Sequence, residues 1–290
     1  MDFAPTLSAV ATEDHAIDPA DAEFYRRTMV VLEEAAIPFL VGGAYAFAGY
    51  TGIVRHTKDF DLFLRQGDLE PALASLAAAG FDAELTFPHW LGKVRCGDAF
   101  VDLIYGSGNG LAEVDDQWFE HAVPGEVLGL PVKLCPAEEI IWSKSFVLER
   151  ERYDGADVAH LLRSRARELD WKRLLRRFGS NFRVLLSHLI LFGYIYPAER
   201  QAVPQEVMDA LLSRLVGEGP AGPAEERICR GTILSRSQYL TDVLEWGYHD
   251  ARLAPIGAMS AADIRSWTEA GREEERRRRE QSAPPGPADR

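Results

Sequence analysis

Residues 39–64 read Phe39-Leu40-Val41-Gly42-Gly43-Ala44-Tyr45-Ala46-Phe47-Ala48-Gly49-Tyr50-Thr51-Gly52-Ile53-Val54-Arg55-His56-Thr57-Lys58-Asp59-Phe60-Asp61-Leu62-Phe63-Leu64. The apolar run before Gly42 predicts a short buried strand, and a helix-like segment follows the two glycines. A second predicted strand carries Asp59 and Asp61. Because successive side chains of a strand point to opposite faces, these carboxylates share one face while Phe60 and Leu62 share the other. The sequence therefore predicts two carboxylates side by side at the end of a buried strand.

The Asp59-x-Asp61 pair favours a bound cation. Like charges a few ångströms apart raise each other's pKa, and aspartate is rarely buried without a partner, so a divalent cation is the natural counterion. Oxygen ligands favour Mg²⁺ or Mn²⁺ over zinc. The alternative is that one aspartate caps a helix or turn while the other faces water, since so short a motif also occurs by chance.

Two further features support a phosphate and metal site. Gly42 and Gly43 lie between the first strand and the helix, where the backbone can approach a ligand and the first helical N–H groups point at it. A phosphate is the usual ligand there, although a Gly-Gly pair also forms an ordinary tight turn. Residues 99–105 form another strand-like run, in which Asp102 is the only charge. On a neighbouring strand, Asp102 would reach the same cation.

Residues 30–160 resemble the nucleotidyltransferases of the DNA polymerase beta superfamily. The shared pattern is an apolar strand, Gly-Gly, a helix, Asp-x-Asp and a later lone carboxylate on a strand. The motif Arg55-x-Thr57-x-Asp59-x-Asp61 is similar to that of small bacterial members, including toxin-like ones. The resemblance implies a nucleoside triphosphate as substrate and Mg²⁺, or Mn²⁺, as cofactor, but it does not specify the acceptor.

The resemblance also implies roles for individual residues. Asp59, Asp61 and Asp102 would be catalytic and would bind the metal. The nucleotide-binding residues would be Gly42, Gly43, Thr57, Lys58 and Lys144. On the residues alone, Lys144 is equally compatible with a solvated surface lysine. Asp154 and Asp157 match positions that would fix Lys144 or Arg152 in place rather than bind metal, although both aspartates could simply cap the next helix.

Composition describes an ordinary globular protein of 290 residues, 47% hydrophobic and 27% charged. We find no apolar stretch as long as a membrane span and no N-terminal targeting pattern, so we expect a cytoplasmic protein without a membrane partner. The three cysteines lie far apart, which favours neither a disulfide framework nor a cysteine zinc site. Residues 1–120 carry 20 acids and 7 bases, and this excess accounts for the whole net charge of −13. Such an acidic half would repel nucleotides unless divalent cations were bound.

Four segments are predicted along the chain. They are a loose N-terminus (1–17), a nucleotidyltransferase catalytic domain (18–140), a helical C-terminal domain (141–268) and a disordered charged and proline-rich tail (269–290). The catalytic segment has the pattern of an α/β (α+β) unit with a small mixed sheet and flanking helices. The helical segment contains a basic run that could hold RNA phosphates, although a solvated helix surface is the commoner explanation. Its members are Arg163, Arg165, Arg167, Lys172, Arg173, Arg176, Arg177 and Arg183.

Two segments near Asp102 receive no catalytic role. Trp90 could stack on a base and His89 could transfer a proton, but packing at the sheet edge is the simpler interpretation for the tryptophan. Lys93 lies on the same approach. Residues 106–110 lack the Lys-Ser/Thr ending of a P-loop, and they predict a flexible loop.

The resemblance implies a metal-dependent enzyme that moves a nucleoside monophosphate from a nucleoside triphosphate to an acceptor hydroxyl and releases pyrophosphate. The acceptor could be RNA, a protein or a small molecule in the cleft between the two domains. One alternative is a catalytically weak nucleotide-sensing or protein-interaction module, against which the three retained carboxylates argue. Another is a nucleoside-triphosphate-dependent phosphotransferase on the same fold, which fold-level analogy does not separate from nucleotidyl transfer.

Overall fold

The computed structural model describes residues 17–55, 57, 59–219, 222 and 227–282. Its strands are β1 (Leu40–Val41), β2 (Asp59–Phe63), β3 (Asp82–Phe87), β4 (Leu91–Cys96), β5 (Ala99–Ile104), β6 (Val123–Val127), β7 (Leu130–Leu134), β8 (Ile228–Cys229) and β9 (His249–Asp250). Its helices are α1 (Pro19–Glu34), α2 (Gly43–Thr51), α3 (Gln66–Ala78), α4 (Asp116–Glu120), α5 (Ala137–Lys144), α6 (Gly155–Arg165), α7 (Trp171–Phe178), α8 (Phe182–Ile195), α9 (Gln205–Gly217), α10 (Gly231–Leu234), α11 (Leu240–Leu244) and α12 (Ala261–Ser282).

Seven of the described strands form one mixed sheet in the order β3-β4-β5-β2-β1-β7-β6. Strands β1 and β2 are antiparallel, whereas β2 is parallel to β5 and β1 is parallel to β7. Antiparallel pairs extend the sheet on both sides. The mixed sheet with flanking helices that the sequence predicts is therefore confirmed. The two strands of residues 39–64 lie at its centre.

Strand β2 shows the predicted alternation of buried and exposed side chains. Phe60 and Leu62 are fully buried, and the Phe60 ring stacks on Tyr25 of α1 with 4.9 Å between the centroids. Asp59 and Asp61 lie on the other face and are partly exposed. Burial of each large apolar side chain contributes about 1.5–3 kcal/mol. A slip of one residue would move both carboxylates into the core, so this burial fixes the register of β2.

The C-terminal part differs from the predicted segments. Strands β8 and β9 form a separate two-stranded parallel sheet within the segment predicted to be helical. Helix α12 continues to Ser282, where the sequence predicts a disordered tail from residue 269. Oppositely charged side chains one turn apart, such as Arg277 and Glu273 at 3.7 Å, support a helix of this composition. Residues 1–16 and 283–290 lie outside the described residues.

Contrary to the expectation that no apolar stretch reaches the length of a membrane span, Trp171–Ile195 is long and apolar enough to cross a membrane by length and composition alone. It comprises α7, one 3₁₀ turn and α8, and the sequence predicts a core helix for its apolar part. Leu185, Leu189 and Phe192 are at most 3% exposed and belong to the hydrophobic core. One face of α8 is therefore a core face, as the sequence predicts, whereas Ile190, Leu191, Tyr194 and Ile195 of the same helix are exposed.

Buried ion pairs hold helix α5 against helix α7. Arg173 Nη2 lies 2.5 Å from Glu138 Oε2, and Arg177 Nε lies 3.1 Å from Glu139 Oε1. Arg177 also donates to both carboxylate oxygens of Asp115, at 2.6 and 2.7 Å. Burial raises the pKa of Glu139, and the two arginines only partly offset this effect. The packing of α5 against α7 therefore depends on ion pairs between buried glutamates of α5 and arginines of α7.

These contacts change the interpretation of the basic run. Two of its members, Arg173 and Arg177, are held inside the protein. Five members form ion pairs with acids of the same chain, namely Arg163, Arg165, Arg173, Arg177 and Arg183. Most of the run is thus committed to the fold, so it does not form a continuous surface for RNA phosphates.

Replacement of Arg173 by Met is expected to lower the free energy of unfolding by about 3–5 kcal/mol, because it leaves two buried glutamates short of a partner. Urea unfolding followed by circular dichroism measures this change. The control is Arg183→Met, since Arg183 is 60% exposed and pairs with Glu218 at the surface. We expect a loss of about 0.5 kcal/mol or less for the control. Equal losses in the two variants would contradict the structural role of Arg173.

Candidate active site

The three predicted carboxylates meet at the centre of the sheet. Asp61 lies opposite Asp102 in the register of the parallel strands β2 and β5, and Asp59 lies two residues earlier on the same face of β2. One oxygen atom of each side chain lies within 4.8 Å of the other two. All three residues are partly exposed, so a ligand can reach them. A set of carboxylate oxygens this close together fits Mg²⁺ or Mn²⁺.

Gly42 and Gly43 allow the start of helix α2 to approach these carboxylates. The N–H of Gly42 donates to the carbonyl oxygen of Asp61 at 3.0 Å. Gly43 has a φ of +51°, and a Cβ atom built on it would lie 1.7 Å from Asp61 Oδ2. A Cβ atom on Gly42 would lie 2.3 Å from the ring of Phe63. Any other residue at position 43 would displace the carboxylate, so the first helical N–H groups reach the site only because both residues are glycine.

Burial and repulsion from neighbouring carboxylates raise the pKa values of Asp61 and Asp102. Burial is the main reason that the pKa of Asp61 is raised to about 7, and the charges of Asp59 and Asp102 raise it further while Lys144 lowers it. Burial also raises the pKa of Asp102, and Lys93 offsets part of that effect. The crowded charges are stabilised by a proton or by a cation, which is the electrostatic property expected of a metal site.

Lys144 lies at the end of α5 and lines the same cavity as Asp61. Its Nζ lies 3.0 Å from Asp154 Oδ2 and 2.9 Å from Asp157 Oδ2, and 20% of its side chain is exposed. Arg55 Nη1 contacts the other oxygen of Asp157 at 2.6 Å. The prediction that these aspartates fix Lys144 is confirmed. Lys144 is not a solvated surface lysine, and Arg55 of the sequence motif belongs to the same cluster.

Thr57 and Lys58 complete the predicted nucleotide-binding set. The Thr57 hydroxyl lies 3.2 Å from both the backbone nitrogen and the carbonyl oxygen of Asp59, accepting from the first and donating to the second. It therefore shapes the turn into β2. Lys58 lies outside the described residues. Contact of either residue with a nucleotide stays a prediction.

A cavity of about 210 Å³ opens in front of Asp61 and Gly43. Its opposite wall comes from residues 232–236 and from Trp267 of α12, which the sequence analysis did not include. Trp90 packs against Trp267 with 5.1 Å between the ring centroids, and it also lines the cavity. The predicted packing of Trp90 at the sheet edge is confirmed, and this packing joins the sheet to the C-terminal helix.

Residues 106–110 form a hydrogen-bonded wall of this cavity and not the loose loop that their glycines predict. Ser107 Oγ accepts from the N–H of Ala112 at 2.8 Å and lies 2.6 Å from Asn109 Oδ1. Asn109 Nδ2 donates to the carbonyl oxygen of Ile233 at 2.8 Å. The side-chain hydrogen bonds fix the loop and connect it to the C-terminal segment.

Sequence reasoning missed Lys93 as a site residue. Its Nζ forms an ion pair with Asp102 Oδ1, because the two residues lie opposite each other on β4 and β5. The sequence contains a pattern that predicts this pairing. Cys96 pairs with Ala99 across a two-residue turn, and counting back from that turn places Lys93 opposite Asp102.

Replacement of Asp61 by Asn should change how stability depends on pH. The folded-state pKa of about 7 lies above the ordinary value of 3.8, so the wild type gains stability from the protonated carboxyl and loses it as the pH rises through 7. Urea unfolding between pH 4 and 8 measures the free energy of unfolding of both proteins. Relative to Asp61→Asn, the wild type should lose stability as the pH rises to about 7, and above that pH the difference between the two proteins should stay constant. Mg²⁺ added at pH 7.5 should stabilise the wild type and not the variant.

The control for this pH series is Asp82→Asn, because Asp82 is exposed at the start of β3, which is an edge strand of the sheet. This variant should follow the wild type at every pH. Parallel profiles for the wild type and Asp61→Asn would contradict the crowded environment assigned to Asp61.

The fold was compared with known proteins. No family model matches the sequence, and no curated protein matches it. Among solved structures, ANT(2'')-Ia in complex with adenylyl-2''-tobramycin aligns with 17% identity and a TM-score of 0.38, over 61% of this chain and 99% of that one. The lincomycin-bound lincosamide antibiotic adenylyltransferase LnuA aligns with 12% identity and a TM-score of 0.36, over 50% and 96%.

A third structure, an antigenic nucleotidyltransferase-like protein from Paracoccidioides brasiliensis, aligns with 16% identity and a TM-score of 0.38 over 64% of this chain and 93% of that one. All three comparisons cover most of the other protein and leave part of this chain unmatched.

Proposed function

We propose that the protein is a metal-dependent nucleotidyltransferase, which transfers a nucleoside monophosphate from a nucleoside triphosphate to an acceptor hydroxyl. The observation that supports this most directly is the contact between the glycine turn and the carboxylates. Gly43 lies against Asp61, whose carboxylate is close to those of Asp59 and Asp102. A phosphate on the turn and a cation on the aspartates would thus be neighbours, as a triphosphate with its divalent ion requires.

The residues present fit Mg²⁺ or Mn²⁺. Asp59, Asp61 and Asp102 offer oxygen ligands only, and Gly43 leaves the Oδ2 side of Asp61 free of any Cβ atom. When bound, the ion neutralises phosphate charge and lowers the pKa of an acceptor hydroxyl. Asp59 and Asp61 would hold the ion that accompanies the triphosphate, and Asp102 would complete the set on the acceptor side.

The chain's own residues would position the reactants. The N–H groups at the start of α2 would bind phosphate oxygens beside Gly42 and Gly43. Asp102 would accept the proton of the acceptor hydroxyl as its oxygen forms a bond to the α-phosphorus. The bond between the α-phosphorus and the bridging oxygen breaks, and pyrophosphate leaves. Lys144, held by two aspartates near Asp61, would neutralise the charge that develops on it.

The acceptor class would be RNA, a protein or a small molecule. The basic run gives little support to RNA, because five of its members are paired with acids within the chain. The cavity is walled by the sheet, by residues 106–109 and by the C-terminal segment, so the acceptor would enter between these elements. We keep all three classes as candidates for the experiment below.

The test uses the purified protein with Mg²⁺, a cell extract and nucleoside triphosphates labelled at either the α or the γ phosphorus. RNA, protein and small molecules are then separated. We expect α label in one of these fractions with the wild type, and at least a 100-fold loss with Asp59→Asn or Asp61→Asn, because each removes a charge that contacts the cation. Asp82→Asn, an exposed aspartate away from the site, should retain full transfer.

Each other outcome selects a different function. Transfer of γ label would identify a phosphotransferase. Nucleotide binding that requires metal but transfers neither label would identify a nucleotide-sensing module. Full α transfer in both aspartate variants would contradict the assignment of the metal site.

A further inference from the structure

The ammonium group of Lys93 is a positive charge in direct contact with the carboxylate set. Lys93 forms an ion pair with Asp102, and the two side chains are only 17% and 14% exposed. The Lys93 ammonium group also lies 4.0 Å from the centroid of the Phe100 ring, on the same strand as Asp102. Such a contact with an aromatic face adds to the attraction of the carboxylate. The lysine is therefore held from two sides.

The backbone fixes this contact. Lys93 on β4 and Asp102 on β5 are directly opposite in an antiparallel ladder that is regular from Leu91 to Cys96. Directly opposite side chains on one face of a sheet are close neighbours. The ion pair thus follows from the register of the sheet and does not depend on a loop conformation.

Lys93 lowers the net negative charge of the carboxylate set. When ionised, Asp59, Asp61 and Asp102 carry a charge of −3, and Lys93 returns one positive charge in direct contact with Asp102. The remainder of −2 is the charge that a single divalent cation neutralises. Without Lys93, the third carboxylate, where it stays ionised, would need a second cation as its partner.

Within the described part of the chain, the other cations near the site have direct partners. Lys144 contacts Asp154 and Asp157, and Arg55 contacts Asp157. Arg152 lies 3.5 Å from Asp154. Among the described residues, these contacts form a separate group on the α5–α6 side, whereas Lys93 contacts the carboxylate set itself.

We propose that Lys93 is a positioning residue that takes the place of a second cation beside Asp102, so that the site binds one divalent cation in the absence of nucleotide. This inference rests on the proposed function, because it treats Asp59 and Asp61 as the ligands of that cation. Lys93 contacts Oδ1 of Asp102, so the ammonium group neutralises the carboxylate that lies on the acceptor side of the proposed site.

The experiment counts Mn²⁺ ions bound per chain without nucleotide, by isothermal titration calorimetry and by the electron paramagnetic resonance signal of free Mn²⁺. We expect one ion for the wild type. Lys93→Met should bind two, because a charge of −3 is left. Lys93→Arg should bind one, because it restores the positive charge. The double variant Lys93→Met, Asp102→Asn should also return to one, since it removes both partners of the ion pair.

The matched control is Arg95→Met, which removes a charge from the same strand. Arg95 pairs with Glu84 at 2.6 Å, and its side chain is 42% exposed. This variant should bind one ion. Thermal unfolding without metal checks that each variant is folded, and Lys93→Gln serves as a second variant that removes the charge but keeps a polar side chain.

Two results would overturn the role of Lys93: two ions bound to the wild type, or one ion bound to folded Lys93→Met and Lys93→Gln. A different result would overturn the proposed function itself. If Asp61→Asn binds Mn²⁺ as the wild type does, the cation does not bind at these aspartates. The two failures are therefore distinguishable in one series of titrations.

Discussion

The close approach of Gly43 to the carboxylate of Asp61 is the constraint on which the site depends. It requires a residue without a Cβ atom at position 43, with a φ of +51°, and the hydrogen bond from Gly42 to Asp61 fixes the distance between α2 and β2. Burial of Phe60 on the opposite face of β2 keeps the carboxylate in that place. The glycine turn and the aspartate pair, proposed to bind phosphate and a cation, thus belong to adjacent strands of one sheet, which holds them more rigidly than loops would.

Around this centre, several cations of the described residues are paired with acids of the same chain. Lys144 is held by Asp154 and Asp157, and the arginines of α7 are held by the glutamates of α5. The first of these pairs keeps Lys144 in the cavity that Asp61 also lines. Lys93 differs, because it contacts Asp102 directly. In the proposed function, Lys144 would lie near the triphosphate, and Lys93 would reduce the charge of the carboxylate set to one that a single divalent cation neutralises.

Local patterns predicted the centre of the site, whereas its walls depend on contacts between distant residues. The alternation of buried and partly exposed side chains on β2 and the glycine turn depend on neighbouring residues, so the pattern of residues 39–64 predicts both. Lys93 could be placed from the hairpin register, but a lone lysine on a strand gave no reason to do so. Residues 232–236 and Trp267 follow the aspartates by more than 120 positions, and no local pattern brings them together. Composition alone also predicted disorder where charge pairs one turn apart support α12.

The most direct test of the central claim is to locate the cation and the triphosphate together. Crystals of the protein with Mn²⁺ and a non-hydrolysable nucleoside triphosphate would show the ion by its anomalous scattering. We predict an ion bound to Asp59 and Asp61, with phosphate oxygens on the N–H groups at the start of α2, next to Gly42 and Gly43. A triphosphate bound elsewhere, or an ion that contacts neither aspartate, would contradict the account.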